Sequence, residues 1–335
     1  MLQDQIFDLI LSRFPRKSDA VDALSLLLNT GKDPIYRRMR GETILSPQEL
    51  SLLAQHFHLS LDELILGKTD LVMFDYNAFS RKIGQFSDYM EGMNHDLAQI
   101  RKMPNAHLFY ASAELPVFTY SLFPELMAFK LYQWGRTTWN LEWLRDRPFS
   151  FDIISQPVIR ECEQMLKHYM SLPSTELWTA QIMDNSLAQV EYHVYAGGFR
   201  DPMEAITLLD RLHDWTVHMK AVTTAGTKFI IGEAPIAAGA KFNLFYNEMV
   251  YTNIFALITS DVGRLAYTAY CTPNFLKSSD SRLCDYTQNW FDNITAKSTV
   301  LTLASDKSRD WFFHEITQKI ARKKQRILLH IEDNR

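Results

Sequence analysis

The chain has 335 residues, with 35 Lys and Arg against 39 Asp and Glu, a formal net charge of −4 and an apolar share of 47 %. Length and apolar share exclude a disordered or fibrous chain and give material for about two packed domains. The slight acidity excludes attraction to nucleic acid over the whole surface, so any such attraction must come from a local patch.

Residues 1–14, MLQDQIFDLILSRF, have amphipathic helical spacing with acids at Asp4 and Asp8 and no basic start, which reads as a helix and not a signal peptide. No apolar run approaches the roughly 20 residues that span a bilayer. Cys162, Cys271 and Cys284 are odd in number and lack metal-ligand spacing, so free thiols in a reducing cytoplasm are expected.

Next comes a helix carrying Leu24, Leu27 and Leu28, then a turn over Asn29-Thr30-Gly31-Lys32. Asp33 as N-cap and Pro34 at the first helical position predict a short helix over Asp33–Arg40, stopped by Gly41. Ile35 and Met39, four apart, face a core, which leaves Lys32, Tyr36, Arg37, Arg38 and Arg40 for solvent or a ligand. With Lys17 they form a cationic patch opposed by Asp33. Arginine forks pair with phosphate or the guanine edge, so Lys32, Tyr36 and Arg37 are expected to point toward bases and Arg38 and Arg40 toward phosphates.

Downstream, Ser46-Pro47-Gln48-Glu49 is a capping box, and Ser60-Leu61-Asp62-Glu63 repeats it. Leu50, Leu52, Leu53, Phe57, Leu59, Leu61, Leu64 and Ile65 supply apolar packing. On these residues, the segment 20–66 resembles the helix-turn-helix of the phage repressor/Cro type, the XRE class of bacterial transcription regulators. The resemblance implies base and phosphate contacts by Lys32, Asp33, Pro34, Tyr36, Arg37 and Arg40. It departs from the pattern at the Gly31-Lys32 turn, at Pro34, and at Arg38, where an apolar side chain often packs. A solvated basic face on an ordinary helical bundle is the competing reading.

Tyr76, Phe79, Ile83, Phe86, Met90, Met93, Leu97 and Ile100 alternate steps of three and four, a heptad seam that predicts a connecting helix over 78–102. Its stripe either builds a homodimer suited to two-fold DNA sites or packs on the chain's own C-terminal portion. Domains are therefore expected at 1–68, 69–103 (the connecting and dimerisation helix) and 104–335.

In the last of these, Ala106–Tyr120 reads as an edge or first strand. Helices are expected near 123–140, 157–171, 175–194 and 202–224. Strands follow at Phe229–Ile231, Phe242–Tyr246, Asn253–Thr259 and Arg264–Cys271, with a hairpin turn at Asp261-Val262-Gly263, and closing helices near 281–297 and 306–326. Helices and strands segregated in this way predict an α+β fold with an antiparallel sheet. Trp134, Trp139, Trp143, Tyr132 and Phe129 suit a core or an apolar ligand pocket. Lys319, Arg322, Lys323, Lys324 and Arg326 suit the C-terminal dipole of the last helix or a phosphate contact. His213 and His218 lack a metal pattern, Gly197-Gly198 lacks a dinucleotide loop, and Asp280, Asp285 and Asp292 read as solvated.

No catalytic constellation, metal site or cofactor is therefore expected. The reading that follows is a DNA-binding transcription regulator, active on double-stranded DNA as a homodimer, with a small-molecule or protein effector at its C-terminal domain. A small-molecule-binding protein or enzyme with an N-terminal docking module, or a protein-interaction scaffold, are the alternatives.

Overall fold

Apolar side chains at three- and four-residue spacing build five short helices at the start of the chain: α1 (Leu2–Leu11), α2 (Lys17–Leu27), α3 (Lys32–Met39), α4 (Pro47–His56) and α5 (Leu61–Leu66). The computed structural model describes residues 2–14, 16–57, 59, 61–66, 71–76, 82–248, 254–302 and 306–334, with the backbone alone at 62, 63 and 66. These divide into two compact units, Met1–Leu71 and Val72–Arg335.

In the first unit each of α1 to α4 turns one stripe inward. Ile6, Phe7 and Ile10 meet Val21, Leu24, Ile35 and Leu53, and Leu45 and Phe57 close the cluster from the connecting segments. Each such side chain contributes roughly 1.5–3 kcal/mol by leaving water. The turn after α2 uses Asn29, not Gly31, for its left-handed residue: Asn29 has φ 47°, while Gly31 has φ −71°. Thr30 N–H donates to Ser25 O at 3.0 Å and Asn29 N–H to Leu26 O at 3.3 Å, the double closure of a Schellman motif. Ser46 caps α4 as expected, with Glu49 N–H on the Ser46 hydroxyl and Ser46 N–H on the Glu49 carboxylate. The repeat expected at Ser60 lies outside the described residues.

The second unit is a mixed α+β body. Its elements are β1 (Asp75–Tyr76), α6 (Phe86–Lys102), β2 (His107–Ser112), α7 (Pro124–Thr137), α8 (Gln156–Met170), β3 (Ser174–Trp178), α9 (Asp184–Tyr195) and α10 (Met203–Ala225). Then follow β4 (Phe242–Tyr246), β5 (Phe255–Ser260), β6 (Gly263–Ala269), β7 (Phe275–Ser278), α11 (Ser281–Thr295), β8 (Thr299–Val300) and α12 (Asp306–Asp333). The strands form one eight-stranded sheet in the order β1-β7-β6-β5-β2-β3-β4-β8. Most pairings are antiparallel, but β2, β3 and β4 run parallel. Side chains alternate across it: Leu108, Tyr110, Trp178, Leu244 and Ile258 join the large core under α6 to α10 and α12, while Ala111, Leu177 and Leu257 face α11.

Several expectations are corrected. Residues 107–112 are an interior strand between β5 and β3, and Pro116 lies beyond it, leading into a 3₁₀ turn at Val117–Leu122. The wholly antiparallel sheet gives way to three parallel strands, because Ser174–Trp178 is a strand where a helix over 175–194 was expected. Being buried on both faces, it shows no amphipathic period. The run 229–231 forms no strand, and Asn253 lies outside the described residues.

The seam helix begins at Phe86, Tyr76 belongs to β1, and Phe79 lies outside the described residues. Phe86, Met90, Leu97 and Ile100 are buried within this unit, where α6 packs on α8 and Asn94 Nδ2 donates to the Glu161 carboxylate at 2.7 Å. The stripe expected to seek a partner copy is thus covered by the chain itself. Phe129, Tyr132 and Trp134 are core, and Trp143 is exposed.

Asp280 is buried and caps α11 through the amides of Arg282 and Leu283. The basic run lies inside α12, not in its last turn: Lys319 pairs with Asp184 at 2.7 Å, Lys323 with Glu191 at 2.6 Å, and Lys324 and Arg326 with Asp210 and Glu191. These ion pairs fasten α12 to α9 and α10. Among the described residues no helix is long and apolar enough to cross a membrane.

At the centre of the sheet Glu176 is fully buried. Its carboxylate accepts from Tyr169 Oη at 2.6 Å, Ser174 Oγ at 2.9 Å and Trp178 Nε1 at 3.0 Å. Close by, buried Lys228 donates to the carbonyls of Leu172 at 2.8 Å and Tyr169 at 3.2 Å. Desolvation lowers the Lys228 pKa from 10.5 to about 7, with the Glu176 charge opposing. A lysine depressed in the fold is costlier to protonate there than in the unfolded chain. Its contribution to stability is complete above the unfolded pKa and falls away as pH drops toward the folded value. Wild-type protein should therefore gain up to ~1 kcal/mol per pH unit from this group between pH 7 and 9, a gain that Lys228→Met lacks. Denaturant titrations of both proteins across that window check this, and a stability difference constant with pH contradicts it.

Candidate nucleic-acid interface

Helical geometry sets what α3 can present. Successive side chains turn about 100°, so with Ile35 inward, Asp33, Arg37 and Arg40 fall on the far side and Arg38 comes back to within roughly 60° of the core. The exposures follow: Ile35 is fully buried, Asp33, Arg37 and Arg40 are exposed, and Pro34, Tyr36, Arg38 and Met39 are half-buried.

The helix begins earlier than its sequence suggests. Gly31 is the N-cap, without a side-chain bond, so Lys32 opens the helix and Asp33 and Pro34 sit within its first turn. Asp33 therefore complements the N-terminal dipole instead of capping it. Gly41 ends the helix at φ 73°, with Gly41 N–H on Arg38 O at 3.0 Å and Glu42 N–H on Arg37 O at 2.9 Å. Gln3 of α1 secures this end by donating to Arg38 O at 2.6 Å and Thr43 O at 2.9 Å and accepting from Leu45 N–H at 2.8 Å.

The five cations of the expected patch have different surroundings. Arg38 turns toward the body of the unit, where its guanidinium meets Glu49 Oε1 at 2.6 Å with both side chains more than four-fifths covered. This joins α3 to the capping box of α4. Burial would raise the Glu49 pKa, but the Ser46 amide and hydroxyl and the Arg38 charge outweigh it and hold the carboxyl below its usual value. Lys32 pairs with Asp22 of α2. Arg40 forks onto Glu42 at 2.6 and 3.2 Å. Both pairs are exposed, and each carboxylate, through its hydrogen bond first, raises the pKa of its cation. Lys17 lies 6.0 Å from the Tyr36 ring centroid, and Tyr36 packs partly against the apolar cluster.

Arg37 stands apart: it is exposed, and among the described residues no carboxylate lies at ion-pair distance from it. The structure thus brings Arg37 and Arg40 to the outer side of α3 with Asp33 between them, leaves Lys32 exposed at the flank of the helix and Lys17 of α2 near Tyr36, and turns Arg38 to Glu49. Exposed ion pairs are weak and exchange readily, so Lys32 and Arg40 remain available to a stronger anion such as phosphate. Sequence reasoning missed the Arg38–Glu49 bridge. The signal for it was Arg38 three residues after the core position Ile35, together with an acid at the third position of α4.

Comparison with family models, curated proteins and solved structures returned no match.

The two neighbouring arginines should separate cleanly in stability. Arg38→Ala leaves Glu49 covered without its cation and should destabilise the N-terminal unit by about 1–2 kcal/mol, between exposed and buried pairs. Arg37→Ala should stay within about 0.5 kcal/mol of wild type. Chemical denaturation of both variants checks this. Equal losses would contradict the geometry.

Proposed function

We propose that the chain is a cytoplasmic, sequence-specific DNA-binding transcription regulator of the helix-turn-helix type. In this reading α3 enters the major groove, and the Val72–Arg335 unit receives an effector or mediates assembly. The observation that carries it is the presentation of α3: one buried anchor, Ile35, a backbone clamp from Gln3 and a bridge from Arg38 to α4. Together they hold the opposite side, with Arg37 and Arg40, outward, and Lys32 is exposed at the flank. A short helix held this rigidly, with arginines on its free side, is what base and phosphate recognition requires.

Within this reading the roles divide by exposure. Arg37 reads a base edge, and Lys32 and Arg40 move from their carboxylates to phosphates, with Lys17 adding charge at the flank. Tyr36 contributes its exposed edge, and Asp33 and Pro34 shape the first turn against the groove wall. Arg38 positions the helix. The homodimer that two-fold operators call for is assigned to surfaces other than the α6 stripe, which is already covered.

The test is selection of a binding site from random duplexes with the full chain, followed by titration across salt. Arg37→Ala should lose about 1–3 kcal/mol on the selected site and relax one base position. Arg40→Ala should weaken binding uniformly and reduce the salt slope by about one. Failure to select any site, or unchanged binding by Arg37→Ala, overturns the reading.

A further inference from the structure

The second unit contains a cavity of about 300 Å³ between α6 and the sheet. We propose that this cavity is a binding site for a small, uncharged aromatic molecule that carries a hydroxyl or carbonyl oxygen. The inference stands whether or not the first unit binds DNA, and it names the class of effector that the regulator reading leaves open.

The size lies at the lower end of cavities that hold small molecules. The walls set the shape. Phe118 and Tyr169 stack at 5.1 Å with an interplanar angle of 12°, and with Phe275 and Tyr267 they line the cavity with aromatic rings. Such rings accept a flat ring by offset or edge contacts.

A buried phenol then specifies the polar part of the ligand. Tyr89 from α6 and Tyr110 from β2 both line the cavity. They are 6 % and 2 % exposed; the Tyr110 hydroxyl has Ser112 as a side-chain neighbour, whereas that of Tyr89 has no hydrogen-bond partner among the described residues. Buried hydroxyls are ordinarily bonded, so that of Tyr89, on a residue lining the cavity, marks where a ligand oxygen would be received. Burial raises both pKa values far above the ordinary phenol value, and raises that of Tyr267 too. All three therefore stay neutral and able to donate near neutral pH.

The charged lining residues argue against a charged ligand. Asp88 is occupied, accepting from the amides of Gly84 at 2.8 Å and Gln85 at 2.9 Å ahead of α6. Asp96 and Lys277 are of opposite sign and both partly exposed. Lys277 and His95, the lining groups that could meet an anion, are at least partly exposed, where an ion pair is weak, and burying a charge among the aromatic side chains is unfavourable.

Calorimetric titration of the full-length protein with β-naphthol, β-naphthoate and decanol tests this without any DNA present. Tryptophan fluorescence follows in parallel, because Trp134 and Trp139 contact the Tyr89 ring at 5.7 and 5.1 Å. β-Naphthol should saturate one site and bind at least about tenfold tighter than β-naphthoate and more tightly than decanol. Tyr89→Phe should weaken it about 3- to 10-fold, the loss of one hydrogen bond. Without probe, this variant should keep the wild-type unfolding midpoint, because its hydroxyl gives up no partner among the described residues. The proposal is overturned by absence of saturation with β-naphthol, by equal or tighter binding of β-naphthoate or decanol, or by unchanged affinity in Tyr89→Phe. A lowered midpoint in that variant also overturns it, since the hydroxyl would then be bonded internally.

Discussion

A single carboxylate organises the larger unit. Glu176 lies fully buried on β3, where a carboxyl group needs its polar atoms bonded. Tyr169, Ser174 and Trp178 supply those bonds. Because Tyr169 belongs to α8, this bond also sets where α8 lies against the sheet. Helix α6 packs on α8 through Asn94 and Glu161, and the space left between α6 and the strands is the aromatic cavity. The polar node, the helix pair and the cavity are therefore neighbours, linked through Tyr169, which bonds Glu176 and also lines the cavity.

The smaller unit works by a different balance. Its apolar cluster is small, so the orientation of α3 depends on a few polar ties at its end and inner edge: Gln3 on the backbone, and Arg38 on Glu49. These ties use an arginine that would otherwise add to the outer charge. What remains outside is a mixed face in which Lys32 and Arg40 are ion-paired, while Arg37 has no carboxylate at ion-pair distance among the described residues. In the proposed reading such a surface attracts nucleic acid modestly at long range and discriminates at contact. That is consistent with the proposed reader of sequence in a chain whose overall charge is slightly negative.

Much of the local structure was legible in the chain itself. The C-terminal end of α3, the capping box of α4, the hairpin after β5 and the helices α7, α8 and α10 announce themselves through residues whose preferences act within a few positions: Gly41, Ser46 with Glu49, Asp261 through Gly263, and runs of three-and-four spacing. The outward placement of Arg37 and Arg40 follows from the same spacing about Ile35. Asn29 in place of Gly31 as the left-handed residue was within reach of the same rules, since asparagine also tolerates that conformation.

The sequence by itself determined where most helices lie, where those with Gly41 or the Ser46–Glu49 box at an end stop or start, and which stripes are apolar, because those properties arise from neighbours in the chain. Tertiary structure alone decided partners. That β3 is a strand in the middle of a mixed sheet, that the α6 stripe meets α8, that the α12 lysines and Arg326 clasp acids of α9 and α10, and that Arg38 turns to Glu49 all depend on groups far apart in sequence. The physical reason is that periodicity marks a surface for burial without naming what will cover it. A charged side chain, likewise, takes its role from whichever opposite charge the fold brings within about 4 Å.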